Sequence, residues 1–172
     1  GRNLFGINAE ATPGVRAWDE GKALAKSTLD RYYRKHGEYP RKVSYTFWAG
    51  EFIETEGATL AQALYMLGVA PVRDGMNRVT DLRLIPSAEL GRPRIDVVVQ
   101  TSGQLRDVAA SRLELLTKAV KMVAQSENDT CGNYVSEGTV ESERILLEKG
   151  FSPKEARELS TVRVFGGAGY GT

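Results

Sequence analysis

Residues Ile95 to Val99 read IDVVV, an apolar, β-branched run of the kind that is buried on both faces of a parallel sheet. A parallel strand forces its chain to return through a crossover, usually a helix, so this one run predicts strands alternating with helices. The rest of the sequence follows that rhythm.

Helical periodicity spans about Val15 to His36, where Trp18, Ala25, Leu29, Tyr32 and Tyr33 fall on one broad face and Gly37 stops the helix. Val43 to Trp48 reads as a strand from its β-branched and aromatic residues. Thr59 to Leu67 follows as a helix, with Gly68 placed for a left-handed cap. Val69–Arg73 and Val79–Ile85 read as extended runs around the turn Asp74-Gly75-Met76-Asn77, able to pair or to lie as neighbours. Beyond the IDVVV run, helices are predicted over Ser111–Val123, Thr139–Lys149 and Ser152–Leu159, the last with Ser152 as cap and Pro153 in its first turn. Val162 to Phe165 forms a final strand. The expected fold is α/β: an open parallel or mixed sheet with helices on both faces, Rossmann-like, and mainly helical from about residue 127 onward.

Charge excludes some functions. Lys and Arg total 23 against 22 Asp and Glu, which gives no electrostatic reason to expect nucleic acid as a partner. No apolar run approaches the roughly 20 residues of a membrane helix, and the N-terminus lacks the pattern of a signal peptide, so no membrane span and a cytoplasmic location are expected. With one cysteine, Cys131, an internal disulfide or a CxxC metal site is ruled out.

In open α/β sheets ligands bind outside the carboxyl ends of the strands, which directs attention to the segments after Trp48 and after Val99. The first, Ala49 to Gly57, is read as a polar turn carrying Glu51, Glu54 and Glu56. Clustered carboxylates can bind a divalent cation or accept protons; they equally complement the positive end of a following helix. The second, Gln100 to Asp107, is also read as a turn. Its Ser102-Gly103 pair lets a ligand approach the backbone, and Arg106 and Asp107 supply a fixed charge and a proton acceptor, or else a local ion pair. His36, the sole histidine, sits where a helix end is expected. The glycines from Gly166 to Gly171 lack the Lys-Ser/Thr and following helix of a phosphate loop, which disfavours ATP binding here.

Several of these words occur together in a known family. Gly1-Arg2-Asn3-Leu4-Phe5-Gly6, Trp48 with Thr55-Glu56-Gly57, LGVAPVRD from Leu67, LIPSAELGRPRIDVVV from Leu84, Ser102-Gly103-x-x-Arg106-Asp107 and the closing RVFGGAGYGT resemble the large subunit of cobaltochelatase (CobN type) and of magnesium chelatase (H subunit). The resemblance runs in order along most of the chain. It implies that residues 1–172 are a single α/β domain of a much longer subunit, consistent with a start lacking methionine. That subunit would hold a tetrapyrrole and a divalent metal (cobalt, magnesium or iron) as substrates, while separate ATPase subunits use ATP.

Metal insertion removes two pyrrole N–H protons and strips water from the metal, which calls for a general base and oxygen or nitrogen ligands beside the macrocycle. The resemblance therefore implies catalytic roles for Glu56, Asp107 and Glu54. It implies metal guidance by Glu51 and Glu56, and tetrapyrrole contacts from Trp48, Ser102, Gly103, Gln104 and Arg106. The run Tyr134-Val135-Ser136-Glu137-Gly138 stands where magnesium chelatases carry a basic, histidine-bearing segment, which favours cobalt and a cobalamin-type product. A homologue releasing metal from haem, or a scaffold module without chemistry, are the alternative expectations.

Overall fold

The computed structural model describes residues 8–167. Helix α1 (Val15–His36) presents Ala17, Gly21, Ala25 and Leu29 to the interior at four-residue spacing. It ends where Gly37 turns left-handed (φ 73°) and donates its N–H to the Tyr33 carbonyl, with Arg34, Lys35 and His36 facing the negative helix end. The buried stripe differs from the expected one: Tyr32 and Tyr33 are exposed and Trp18 is only half-buried. Small residues win that face because α1 lies close against a second helix. A Cβ on Gly21 would stand 2.5 Å from the Ala61 Cβ and 2.9 Å from the Ala58 carbonyl oxygen. Gly21→Ala is accordingly expected to cost about 1–3 kcal/mol, because backbone would have to move; urea unfolding of the variant checks it, and an unchanged midpoint would show that the two helices separate freely.

Strand β1 (Lys42–Phe47) is followed at once by α2 (Ala49–Thr55), then α3 (Ala58–Leu67). The segment expected to be a polar turn is thus mostly helix. Trp48, expected inside the strand, instead precedes α2 and is 54% exposed. Glu56, in the left-handed region at φ 57°, and Gly57 break α2 from α3, and the Glu51 carboxylate bridges the break by accepting from the Thr55 hydroxyl and the Thr59 N–H. Helix α3 is apolar nearly all round and packs at the centre, burying Leu60, Ala61, Leu64 and Leu67.

Strands β2 (Val69–Arg73) and β3 (Val79–Leu84) pair antiparallel as a separate two-stranded sheet, with Asp74 accepting the Met76 and Arg78 N–H groups in the turn. After the short α4 (Ser87–Leu90) come β4 (Asp96–Ser102), α5 (Gly103–Val108), α6 (Ala110–Ala124), α7 (Tyr134–Glu148), α8 (Pro153–Leu159) and β5 (Val164–Gly167). Strand β5 starts two residues later than the expected Val162–Phe165, and two helices also depart from expectation. Helix α5 occupies what reads as a turn, because the Ser102 hydroxyl caps it by accepting the Leu105 N–H. Helix α7 starts at Tyr134 because the Asn133 side chain caps it by accepting the Ser136 N–H.

Strands β1, β4 and β5 form a parallel three-stranded sheet in the order β1-β4-β5. Val43, Tyr45 and Phe47 share one face with Val97, Val99 and Thr101, looking into the core. The opposite face is only partly covered. Asp96 is buried there beside Gly138 of α7, and Val98 is half-buried near Ile145 and Leu159, but Ser44, Thr46, Gln100 and Phe165 stay exposed. The IDVVV run is therefore sealed fully on one face and partly on the other.

Candidate functional site

Register fixes where the two candidate segments meet. Phe47 lies beside Thr101, so the residues leaving β1 and β4 emerge next to each other at the carboxyl edge of the sheet, where α2 and α5 touch. Strand β5 joins the same edge, with Gly167 beside Ser102. The glycine-rich tail, dismissed as a phosphate loop, thus begins at the candidate site; a strand is expected at Val162–Phe165, but its pairing partner β4 leaves no local sequence signal. Residues 168–172 lie outside the described residues.

At this edge the side chains divide into exposed and committed groups. Trp48, Gln104 and Asp107 are exposed, as is Glu54 along α2. Ser102 spends its hydroxyl on the α5 cap, and Gly103 starts that helix. Arg106 and Asp107 do not form an ion pair, since they are successive residues on a helix and project in different directions. The Arg106 Nε is buried without a partner among the described residues, and its side chain lines a groove of about 370 Å³ between α6 and β5.

The acidic residues after Trp48 are dispersed rather than gathered. Glu51 turns inward: one oxygen accepts from Thr55 and Thr59, and the other, Oε1, is buried with no partner among the described residues. Glu56 is exposed at the far end of α2, where it lines a different recess with Gly14, Arg16 and Asn77. Among the described residues no three His, Cys, Asp or Glu side chains gather so as to hold a metal ion. The arrangement offers exposed carboxylates able to take protons, an exposed indole able to stack on a flat ring, and one unpartnered guanidinium donor.

The most distinctive sequence words near the site prove to be architectural. Arg92 donates to the Tyr65, Met66 and Pro93 carbonyls, and Arg94 to the Gly68 and Ile85 carbonyls, so GRPR ties the start of β4 to the end of α3. Gly68 in LGVAPVRD is needed twice over: its φ is +82°, and a Cβ would sit 2.4 Å from the Arg94 Nη1. Arg73 of the same word donates to the Pro13 carbonyl. No helix of the described residues is long and apolar enough to cross a membrane.

The chain matches the CobN/Magnesium Chelatase family over residues 1–172. It is 35% identical over 96% of its length to the aerobic cobaltochelatase subunit CobN of Sinorhizobium sp, covering 13% of that protein. It is 38% identical over 98% of its length to the chloroplastic magnesium-chelatase subunit ChlH of Oryza sativa subsp. indica, covering 12% of it. Among solved structures, the catalytic subunit of cobaltochelatase from Mycobacterium tuberculosis superposes with a TM-score of 0.82 at 38% identity, over 92% of this chain and 13% of that one. The chain therefore spans about an eighth of the length of these relatives, and the identities to cobalt and magnesium branches do not separate them.

Proposed function

The chain belongs to the CobN/magnesium chelatase family, and from that premise we propose that it forms one α/β domain of a chelatase large subunit and supplies a wall of the cleft where a divalent metal enters a tetrapyrrole. The observation that carries this reading is the shared carboxyl edge. Two segments that resemble family motifs, Trp48 to Gly57 and Ser102 to Asp107, are brought together there by the β1–β4 register.

In this reading Trp48 offers a stacking face, while Ser102, Gly103 and Gln104 allow the macrocycle to approach the end of β4, where Ser102 caps α5. Asp107 and Glu54 are the proton acceptors at this edge, being exposed and free to exchange protons with a bound substrate, and Glu56, exposed in the recess with Gly14, Arg16 and Asn77, serves a part of the cleft beyond this edge. Glu56 guides the metal on its way in, whereas Glu51, with one oxygen bonded to Thr55 and Thr59 and the other buried, holds the α2–α3 break in place. Cobalt is the metal inserted, toward a cobalamin-type product, and ATP is consumed by partner subunits in a cytoplasmic, ligase-type complex.

Substitution in the full-length subunit tests the assignment. Asp107→Asn and Glu56→Gln are each expected to lower turnover about 100-fold, the low end of general-base effects, while tetrapyrrole affinity holds within about twofold, since an interaction made in the transition state is lost without ground-state binding. One observation favours a second reading, that of a scaffold wall: Ser102 and Glu51 already spend acceptors inside the fold. Unchanged turnover in both variants, with altered tetrapyrrole binding or assembly, would select that reading.

A further inference from the structure

The sheet has two edges, and they are finished differently. On β1 the alternating residues Lys42, Ser44 and Thr46 are exposed and polar, the usual dressing of a sheet edge that stays in water. Strand β5 reads Val-Phe-Gly-Gly, with neither charge nor proline. Its backbone geometry shows which groups lie open. The Val99 N–H bonds to the Arg163 carbonyl, so in the parallel ladder Arg163 and Phe165 turn toward β4 while Val164 and Gly166 turn their N–H and C=O outward.

Of these, Val164 lines the groove of about 370 Å³ introduced above, bounded on the other side by Leu113, Thr117 and Lys121 of α6. Leu113 and the half-buried Val164 give it an apolar floor continuous with the core, and the Arg106 side chain, whose buried Nε has no partner among the described residues, lines its wall. Backbone polar groups, an apolar floor and an unmet donor together define a berth for an extended peptide, whose own backbone and side chains would satisfy all three.

We propose that a segment of the same polypeptide from outside residues 1–172 adds to β5 as a fourth strand of this sheet, bonding through Val164 and presenting an oxygen acceptor to Arg106. The occupant is argued from length: the solved relative that superposes on 92% of this chain has only 13% of its own chain in the match, so most of such a subunit lies outside the matched stretch and can supply the strand. The inference rests on family membership and not on which carboxylates do chemistry, so it stands or falls separately from the roles of Asp107 and Glu56.

The experiment uses the full-length subunit with a photo-crosslinking amino acid in place of the exposed Lys121, together with residue-level hydrogen exchange of the unmodified subunit. The expected results are capture of a peptide from the same polypeptide outside residues 1–172, found only within one copy when light and heavy isotope-labelled subunits are mixed, and a Val164 amide exchanging as slowly as that of Phe165. Capture between copies, capture of another subunit or of residues 1–172, no capture at all, or fast exchange at Val164 beside a protected Phe165 would overturn the proposal.

Discussion

Replacing Arg94 with methionine is expected to destabilise the fold by about 3–5 kcal/mol, the cost of leaving a buried charge without its partner. Arg94 and Asp129 are 2.8 Å apart with side chains only 3% and 7% exposed, and the same guanidinium also donates to the Gly68 and Ile85 carbonyls at 2.6 Å. Methionine fills the space and offers no donor, so Asp129 loses its cation, keeping only the bonds from Ser126 and Asn133, and two carbonyls lose their donor in a nearly buried place. Arg94→Lys keeps the charge but not the planar fork, and is expected to recover less than half of the loss. Burial pushes the Asp129 carboxyl up, but bonds from Arg94, Ser126 and Asn133 outweigh it and hold the group below its ordinary value. A carboxyl depressed on folding stabilises above its unfolded pKa of about 3.9, and that contribution is lost as pH falls through the lower folded value. Urea unfolding of both variants at pH 7 and at descending pH checks this. A loss under about 1 kcal/mol for Arg94→Met, or the same acid sensitivity with and without Arg94, would show that the hub contributes little.

That hub explains why part of the site was legible in sequence and part was not. The β-branched run at Val97–Val99 signalled a buried parallel strand because such burial demands apolar side chains, and Gly37 and Gly68 marked helix ends through their left-handed backbone. Helices α2 and α5 escaped notice because each is at most seven residues long and too short for periodicity to show. What makes them helices is a cap and a tertiary seat: the Ser102 hydroxyl for α5, and Phe52 and Leu105 anchored in the core. Arg92 and Arg94 read as charges and turn out to be buried carbonyl clamps; their signal was two arginines ahead of a core strand with no acid between them. Asp96, inside the apolar run, carried the matching signal, since a carboxylate beginning a buried strand requires a cation from elsewhere. Which cation it is depends on a contact between residues 67 apart in sequence, which local pattern does not encode.

Removing that carboxylate is the second large effect expected. Asp96 opens β4 and Arg163 stands directly before β5; the Arg163 Nε lies 2.8 Å from the Asp96 Oδ1, with side chains 6% and 2% exposed. Arg163 also donates to the Ser160 and Val162 carbonyls and to the Thr139 hydroxyl, so the pair fastens α7, the end of α8 and β5 to the start of β4. Space is tight, for a Cβ on Gly138 would stand 3.1 Å from the Asp96 Oδ2. Asp96→Ala therefore strands a guanidinium in the interior and is expected to cost about 3–5 kcal/mol, a large share of the stability of a domain this size. The double variant Asp96→Leu with Arg163→Met removes the stranded charge and is expected to recover at least half of that cost, because an apolar pair of similar volume replaces a buried ion pair with little penalty. Hydrogen exchange locates the damage: in Asp96→Ala the Phe165 and Gly167 amides, held against β4, should lose protection before those of α3. If the double variant is no more stable than Asp96→Ala, or if β5 keeps its protection while the whole chain weakens uniformly, the stranded charge is not the cause and β5 is held to the sheet by other contacts.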